Sequence, residues 1–408
     1  MSAQGGDGLP VGDTQRPVRV LYSFPMKLGG ARVDGTAWNQ VNGLCGAGAD
    51  VLVCNGVTYT PLPSEVRVWP TLSRGRMRIS YKMVGRLRAF AIHDRIVAQR
   101  LRRCASSVDI VHVWPLAARH TLKAAAMLGI PTVYERPNAH TACFYESVER
   151  ECKKLGVALP RNHEHATNVK VLAIEEEEYR LACRILCPSE YAASTFLKRG
   201  FNAEQLARHQ YGFDETAFYP VTEEDDHPGG LAVLFAGLCA PIKGLHYGLE
   251  AWLRSPASRS GTFSIAGTFT PGYAEKLSGM LSHPSIRVLG HRRDLAEIMR
   301  RSDIFVAPSV SEGSALVTYE ARGSGCVLLA SRATGAICNH MRTGLLHDVG
   351  DSDTLSRQIS MLDADRGFLR ALREESLKLV GELTWASAGR RLLEVYNEVL
   401  GTAGRRGQ

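Results

Sequence analysis

The chain has 408 residues, 45% hydrophobic and 22% charged, a globular composition with room for about two domains that excludes collagen-like, disordered and coiled-coil classes. Its 49 Lys and Arg against 41 Asp and Glu give a formal charge of +8, which suits phosphate-bearing ligands or an anionic surface and by itself selects no partner. No stretch approaches the ~20 uninterrupted apolar residues of a membrane-spanning helix.

Residues 1–16 lack the basic start and apolar core of a signal peptide, so they read as a flexible leader, and the protein is expected in the cytoplasm. From Val18 onward short β-rich runs alternate with amphipathic stretches: VRVLYSF, a helix-like segment from Asp34 to Gly48, ADVLVCNG, VDIVHVW and IPTVYE. That alternation is the pattern of a parallel sheet with helices on both faces. The ten cysteines show no CxxC pair and no compact Cys/His cluster, so reduced, buried thiols are expected and no metal site is.

After the first strand, Gly29 and Gly30 form a turn whose N–H groups could approach phosphate. Residues 74–103 carry ten Lys and Arg against one acid, interleaved with apolar residues. They read as one or two basic amphipathic helices, which either lie on an anionic bilayer or pack on their own sheet with a solvated basic face. The run Glu175–Glu178 reads as a solvated helix start.

YPVTEEDDHPGG, 219–230, has no apolar period and reads as a linker. The alternation then restarts with LAVLFAG, TFSIAG, SIRVLG, DIFVAPS and CVLLAS. The expected architecture is α/β, two facing Rossmann-like domains with a deep cleft. These are 17–218 and 231–385, followed by 386–408 as a C-terminal helix and tail, the helix open to return to the first domain. Open sheets bind ligands beyond the carboxyl ends of their strands, so the site belongs in the cleft.

The most informative segment is 302–331: a strand, a loop with Glu312 and Gly313, a helix from about Ser314, and another strand. Free N–H groups of Ser314, Ala315 and Leu316 at a helix start would hold an anion without a basic side chain, and Gly313 would allow close backbone approach. Glu312 and Glu320 stand ~12 Å apart if fully helical, comparable with the span from sugar to ribose in a nucleotide sugar. Carboxylates accept hydroxyl hydrogen bonds and repel phosphate, so the pair suits the two polyol ends with the diphosphate between them. Lys243, at an expected helix start, opposes the helix dipole unless an anion offsets it.

The segment EGSALVTYE resembles the signature of retaining GT-B glycosyltransferases of family 4 (glycosyl transferases group 1), a glutamate, seven residues and a second glutamate between two strands. VLFAGLCAPIKGLHYGLEAW, HPSIRVLGHRRDLAEIMRRSDIFVAPS, CRILCPSEYAASTFLKRGF and YERPNAH look similar to other parts of that family. The resemblance implies a metal-independent, retaining hexosyltransferase-type enzyme that uses a nucleotide-diphosphate-sugar as substrate and needs no cofactor. It gives Lys243 a contact with the diphosphate, Glu312 the orientation of the sugar, Glu320 the ribose, and a histidine, His140 or His112, a contact with the donor sugar. Many members carry Arg directly after the glycine that here is Gly237, where this chain has Leu238; Arg292 either compensates or lines the base pocket. Glu135 and Arg136 could instead pair with each other.

The implied acceptor is a sugar, a lipid-linked or a small molecule, in polysaccharide, glycolipid or natural-product glycoside synthesis, with peripheral attachment to the inner membrane face through 74–103. The alternatives are a catalytically degenerate GT-B protein that binds a sugar nucleotide, and a basic nucleic-acid-binding protein, disfavoured because no aromatic stacking patch accompanies the arginines. A dinucleotide oxidoreductase is disfavoured because no G-x-G-x-x-G follows either first strand.

Overall fold

The computed structural model of the chain describes residues 16–30, 32–74, 77–79, 81–221 and 230–406. The expected leader apart from Arg16, and 222–229 of the expected linker, lie outside the described residues.

The first sheet begins with β1 (Arg19–Leu28), β2 (Asp50–Thr58) and β3 (Arg67–Pro70). A two-stranded ribbon follows, β4 (Ser73–Arg74) and β5 (Met77–Arg78), before β6 (Ile110–Val113), β7 (Thr132–Glu135), β8 (Arg184–Cys187) and β9 (Leu206–Arg208). Seven of these strands pair in parallel in the order β3-β2-β1-β6-β7-β8-β9. The second sheet is built from β10 (Ala232–Ala236), β11 (Thr262–Ala266), β12 (Ile286–Gly290), β13 (Ile304–Ala307), β14 (Val327–Ser331) and β15 (Gly344–His347). Its six parallel strands run in the order β12-β11-β10-β13-β14-β15. Central strands such as IFVA and VLLAS are buried throughout because helices cover both faces, which is why they read as continuous apolar runs.

In each sheet the chain order reverses beside the first strand, between β1 and β6 and between β10 and β13. Strand ends at such switch points diverge and leave a crevice. The crevices face one another because the units dock directly. Helix Thr141–Leu155 packs Phe144, Tyr145, Val148 and Cys152 against Ala240, Ile242, Tyr247 and Val310. On the same helix, buried Glu151 accepts the Tyr247 hydroxyl at 2.6 Å and lies 2.9 Å from His246 Nε2.

The last helix, Trp385–Arg406, returns to the first sheet's unit, where Leu392, Val395, Tyr396 and Val399 join the core of Val20, Tyr22, Val41 and Leu44. Their spacing is one helical stripe. Gly389 and Gly43 let the two helix backbones meet: a Cβ on Gly389 would stand 2.3 Å from the Gly43 carbonyl carbon.

Two surface readings change. Helix Arg86–Cys104 buries Ala89, Phe90, Val97 and Leu101, with Val97, Ala98 and Leu101 in the core of Leu21, Leu52 and Cys54, so its apolar face covers its own sheet and is not open to a bilayer. The run Glu175–Glu178 lies within helix Val169–Leu181 rather than at its start. Glu178 is fully buried and accepts the N–H groups of Leu116 and Ala118 at 2.8 and 2.9 Å, while Glu175 pairs with Arg136 at 3.2 Å. No helix of the described residues is long and apolar enough to cross a membrane. All ten cysteines are free, five of them buried; Cys183 is exposed.

Candidate active site

A cavity of about 300 Å³ lies where the two switch points meet. Its second-sheet wall comes from the ends of β10 and β13, Phe235–Gly237 and Phe305–Ala307, and from Ser314–Val317. Lys243 and Glu312 sit on that wall, and Arg32, Thr36, Pro137 and Tyr211 close the side of the first sheet.

Lys243 ends a short 3-10 turn, Pro241–Lys243, and Gly244 then adopts φ +69 to start helix Leu245–Arg254. A Cβ on Gly244 would stand 2.0 Å from the Pro308 carbonyl oxygen, so only glycine allows the turn to seat against the β13 loop. The turn brings the Lys243 ammonium into a close ion pair with the Glu312 carboxylate, both partly buried. Burial lowers the Lys243 pKa to about 8.

Helix Leu316–Gly323 starts two residues later than the sequence indicates. Glu312 therefore lies in the preceding loop, and the helical estimate of its separation from Glu320 does not apply. The Ala315 N–H is not free, because it donates to the Thr334 carbonyl at 3.3 Å. Those of Ser314 and Leu316 meet no acceptor among the described residues. The close approach that Gly313 permits is to the first unit: a Cβ there would lie 2.0 Å from the Pro137 carbonyl oxygen, and the Gly313 carbonyl accepts the Ser189 hydroxyl.

Glu320 follows Leu316 by four residues and so shares its helix face. Its carboxylate has no hydrogen-bond or ion-pair partner among the described residues, and burial raises its pKa to about 7. Its side chain does not itself line the cavity. Gly237 does, with φ +137 and open space where a Cβ would be; Leu238 beside it packs with the Phe144 cluster.

The remaining expected residues lie elsewhere. His140 is buried, its ring packed against Tyr179, Phe196 and Phe201 and accepting the Ala142 N–H to cap helix Thr141–Leu155, and burial lowers its pKa to about 3. That position caps the helix and lies outside the cavity lining. His112 is equally buried and bonded to the Tyr396 hydroxyl at 2.7 Å. Arg292 is tied to Asp294 at 2.8 Å on the surface and lines no part of the cavity. The Gly30 N–H turns back to the Lys27 carbonyl, and that of Gly29 to Asp34, so neither is offered to phosphate. Glu135 and Arg136 do not pair: Glu135 accepts Gln40 and Tyr211 at 2.9 and 2.7 Å and faces His209 at 3.1 Å.

Residues 230–365 match the family of glycosyl transferases group 1. The matched segment, here called the group 1 domain for its likeness, makes up a third of the chain. The cavity's second wall, including Lys243, Glu312 and Ser314–Val317, falls inside this group 1 domain. The chain is also similar to D-inositol 3-phosphate glycosyltransferase of Corynebacterium kroppenstedtii, 31% identical over 121 residues, 29% of this chain and 27% of that protein. Alpha-maltose-1-phosphate synthase of Mycolicibacterium smegmatis is 27% identical over 218 residues, 46% of this chain and 55% of that protein. The chain thus spans about a quarter to a half of the length of these curated relatives.

Among solved structures, Anabaena HepE in complex with UDP superposes over 93% of this chain and 100% of its own, with TM-score 0.63 and 16% identity. The catalytic domain of Starch Synthase IV from Arabidopsis thaliana, bound to ADP and acarbose, covers 94% of this chain and 100% of its own, with TM-score 0.65 and 14% identity. The fold around the group 1 domain is GT-B, two facing Rossmann-like units with the cavity between them.

Arg32, Thr36 and Tyr211 are cavity residues that the sequence did not single out. Arg32 follows the Gly29-Gly30 turn and begins helix Val33–Gly46, the one signal available. Tyr211 lies just after β9, on the stretch of chain that leads out of the first sheet.

Proposed function

We propose that the protein is a glycosyltransferase that moves a sugar from a nucleoside-diphosphate donor to an acceptor hydroxyl with retention of anomeric configuration. The observation that carries the reading is the convergence of Lys243, Glu312 and the start of helix Leu316–Gly323 on one cavity between two parallel sheets inside a group 1 domain.

The chemistry follows from charge. As the anomeric carbon–oxygen bond breaks, negative charge grows on the diphosphate; Lys243 and the Ser314 and Leu316 N–H groups neutralise it, which asks for no metal. The acceptor oxygen bonds to the anomeric carbon on the face the diphosphate leaves, and its proton passes to a departing phosphate oxygen. Glu312 orients the sugar hydroxyls. Glu320, whose carboxylate has no partner among the described residues, accepts the ribose hydroxyls. UDP in Anabaena HepE and ADP in Starch Synthase IV favour a nucleoside diphosphate as the leaving group.

The acceptor is a sugar, a lipid-linked or a small molecule, met on the first-sheet side. Arg86, Arg88 and Arg95, with no ion-pair partner among the described residues, favour peripheral contact with an anionic membrane surface from the cytoplasmic side, by charge rather than by insertion. Thermal-shift screening of UDP-, GDP- and ADP-sugars, followed by assay of released nucleoside diphosphate, tests the reading. Stabilisation by one donor and turnover with it support transfer; stabilisation without turnover in the presence of acceptors favours a binding protein.

A further inference from the structure

Two cations from opposite walls converge on the cavity, Lys243 from the group 1 domain and Arg32 from the first unit. Like charges brought to one partly desolvated space raise each other's cost unless an anion lies between them. Burial is the main cause that lowers the Lys243 pKa; the charge of Glu164 raises it and that of Arg32 lowers it further. Arg32 adopts φ 57 and ψ −132, a backbone state that favours glycine. Gly29, Gly30 and Gly35 lie close by, yet position 32, with its positive φ, keeps a long cationic side chain.

Arg32 is engaged here by Glu164, from the loop between helices Thr141–Leu155 and Val169–Leu181. Its Nη1 lies 3.3 Å from both carboxylate oxygens, and both side chains are more than half exposed. An ion pair this open contributes little and is readily exchanged for another anion.

We propose that Arg32 is a phosphate-binding residue that completes an anion subsite with Lys243 across the cleft, and that Glu164 holds it until the phosphate displaces the carboxylate. The proposal rests on the transfer reading for its biological ligand. The shared chemistry is a phosphate group, carried either by the donor as its diphosphate or by a phosphorylated acceptor.

Calorimetric titration of pyrophosphate into wild type, R32Q, R32K, E164Q and the R32Q/E164Q double variant tests it, with R32G relaxing the backbone as a control. The expected result is that R32Q and R32G weaken pyrophosphate about tenfold or more while R32K retains most of the affinity. E164Q tightens it about twofold to fivefold, a gain absent in the R32Q background. Equal affinities for wild type and R32Q, or a wild type that binds no pyrophosphate, overturn the proposal.

Inorganic phosphate titrated into UDP-saturated wild type separates the sources. Binding that survives UDP and needs Arg32 assigns the phosphate to the acceptor, whereas exclusion by UDP assigns it to the donor; both support the subsite. Arg32-dependent pyrophosphate binding, with no nucleoside diphosphate bound more tightly and no turnover, would sink the transfer reading and leave the subsite standing.

Discussion

The Lys243 ammonium and the Glu312 carboxylate, 69 positions apart in sequence, form a close ion pair on the wall of the interdomain cavity. In the unliganded protein each residue satisfies the other. On the proposed function a donor parts them, taking Lys243 to phosphate and Glu312 to sugar hydroxyls. K243M should therefore lower kcat by about a hundredfold or more, as removal of a transition-state charge donor does. E312Q should lower kcat while leaving nucleoside diphosphate affinity within a few fold. Steady-state kinetics and calorimetry on both variants and the double check this, and equal loss of nucleotide affinity in both would contradict the division of roles.

Lys243 on the cavity wall and Glu320 on the helix that leads from it, both with shifted titrations, should bracket a pH optimum for donor binding on the proposed roles. Glu320, raised to about 7, binds ribose hydroxyls best as a carboxylate, so nucleoside diphosphate affinity should fall as pH drops below that value. Lys243, lowered to about 8, binds phosphate as an ammonium, so affinity should fall as pH rises above it. E320Q should flatten the acid limb and K243M the alkaline limb in calorimetric titrations across pH 5 to 10, a range chosen around these values. In the unliganded protein the raised Glu320 pKa has the opposite sign for stability: its contribution is full below the ordinary carboxylate range and is lost as pH rises through about 7. The melting temperature of wild type relative to E320Q should therefore decline over that interval.

His140 serves the fold, so its replacement should separate stability from turnover. H140N, which keeps a side-chain acceptor for the Ala142 N–H but loses ring packing against Tyr179 and Phe196, should lower the melting temperature by a few degrees with kcat changed less than about threefold. A hundredfold loss of kcat in a protein of unchanged stability would return His140 to the chemistry.

G389L should destabilise the first unit by roughly 1–3 kcal/mol or more, because a side chain there meets the Gly43 backbone. Thermal unfolding followed by near-ultraviolet dichroism reads the change. An unaltered midpoint would mean that helix Trp385–Arg406 does not hold that unit in solution.

Wild type should float with anionic vesicles at low salt and be released as salt rises, whereas the triple variant R86E/R88E/R95E should not float. Flotation of the triple variant equal to that of wild type would remove the membrane contact.

The strands that carry most of the core were legible because parallel sheets covered on both faces demand apolar runs, as in IFVA and VLLAS. The edge strands β3 and β9 were not read: RVWP and LAR are only partly buried and carry no such run. Glu312, Lys243 and Gly237 line the cavity, and each was legible because it lies at a strand end or turn whose local signal is strong. Arg292 and His140 do not line it, because Asp294, two residues on, holds Arg292, while Tyr179, Phe196 and Phe201, distant in sequence, enclose the His140 ring. The buried role of Glu175 and Glu178 was hidden since their partners, Arg136 and the Leu116–Ala118 backbone, lie about 40 to 60 residues away. Arg32 and Tyr211 were missed because the first-sheet wall exists only when the two units face each other.

The most direct test is release of nucleoside diphosphate from the donor that stabilises the protein best, measured with acceptor present for wild type, E312Q and E320A. The account predicts turnover by wild type, a large fall in kcat for E312Q, and a rise in donor KM for E320A. Release at the wild-type rate by both variants would contradict it.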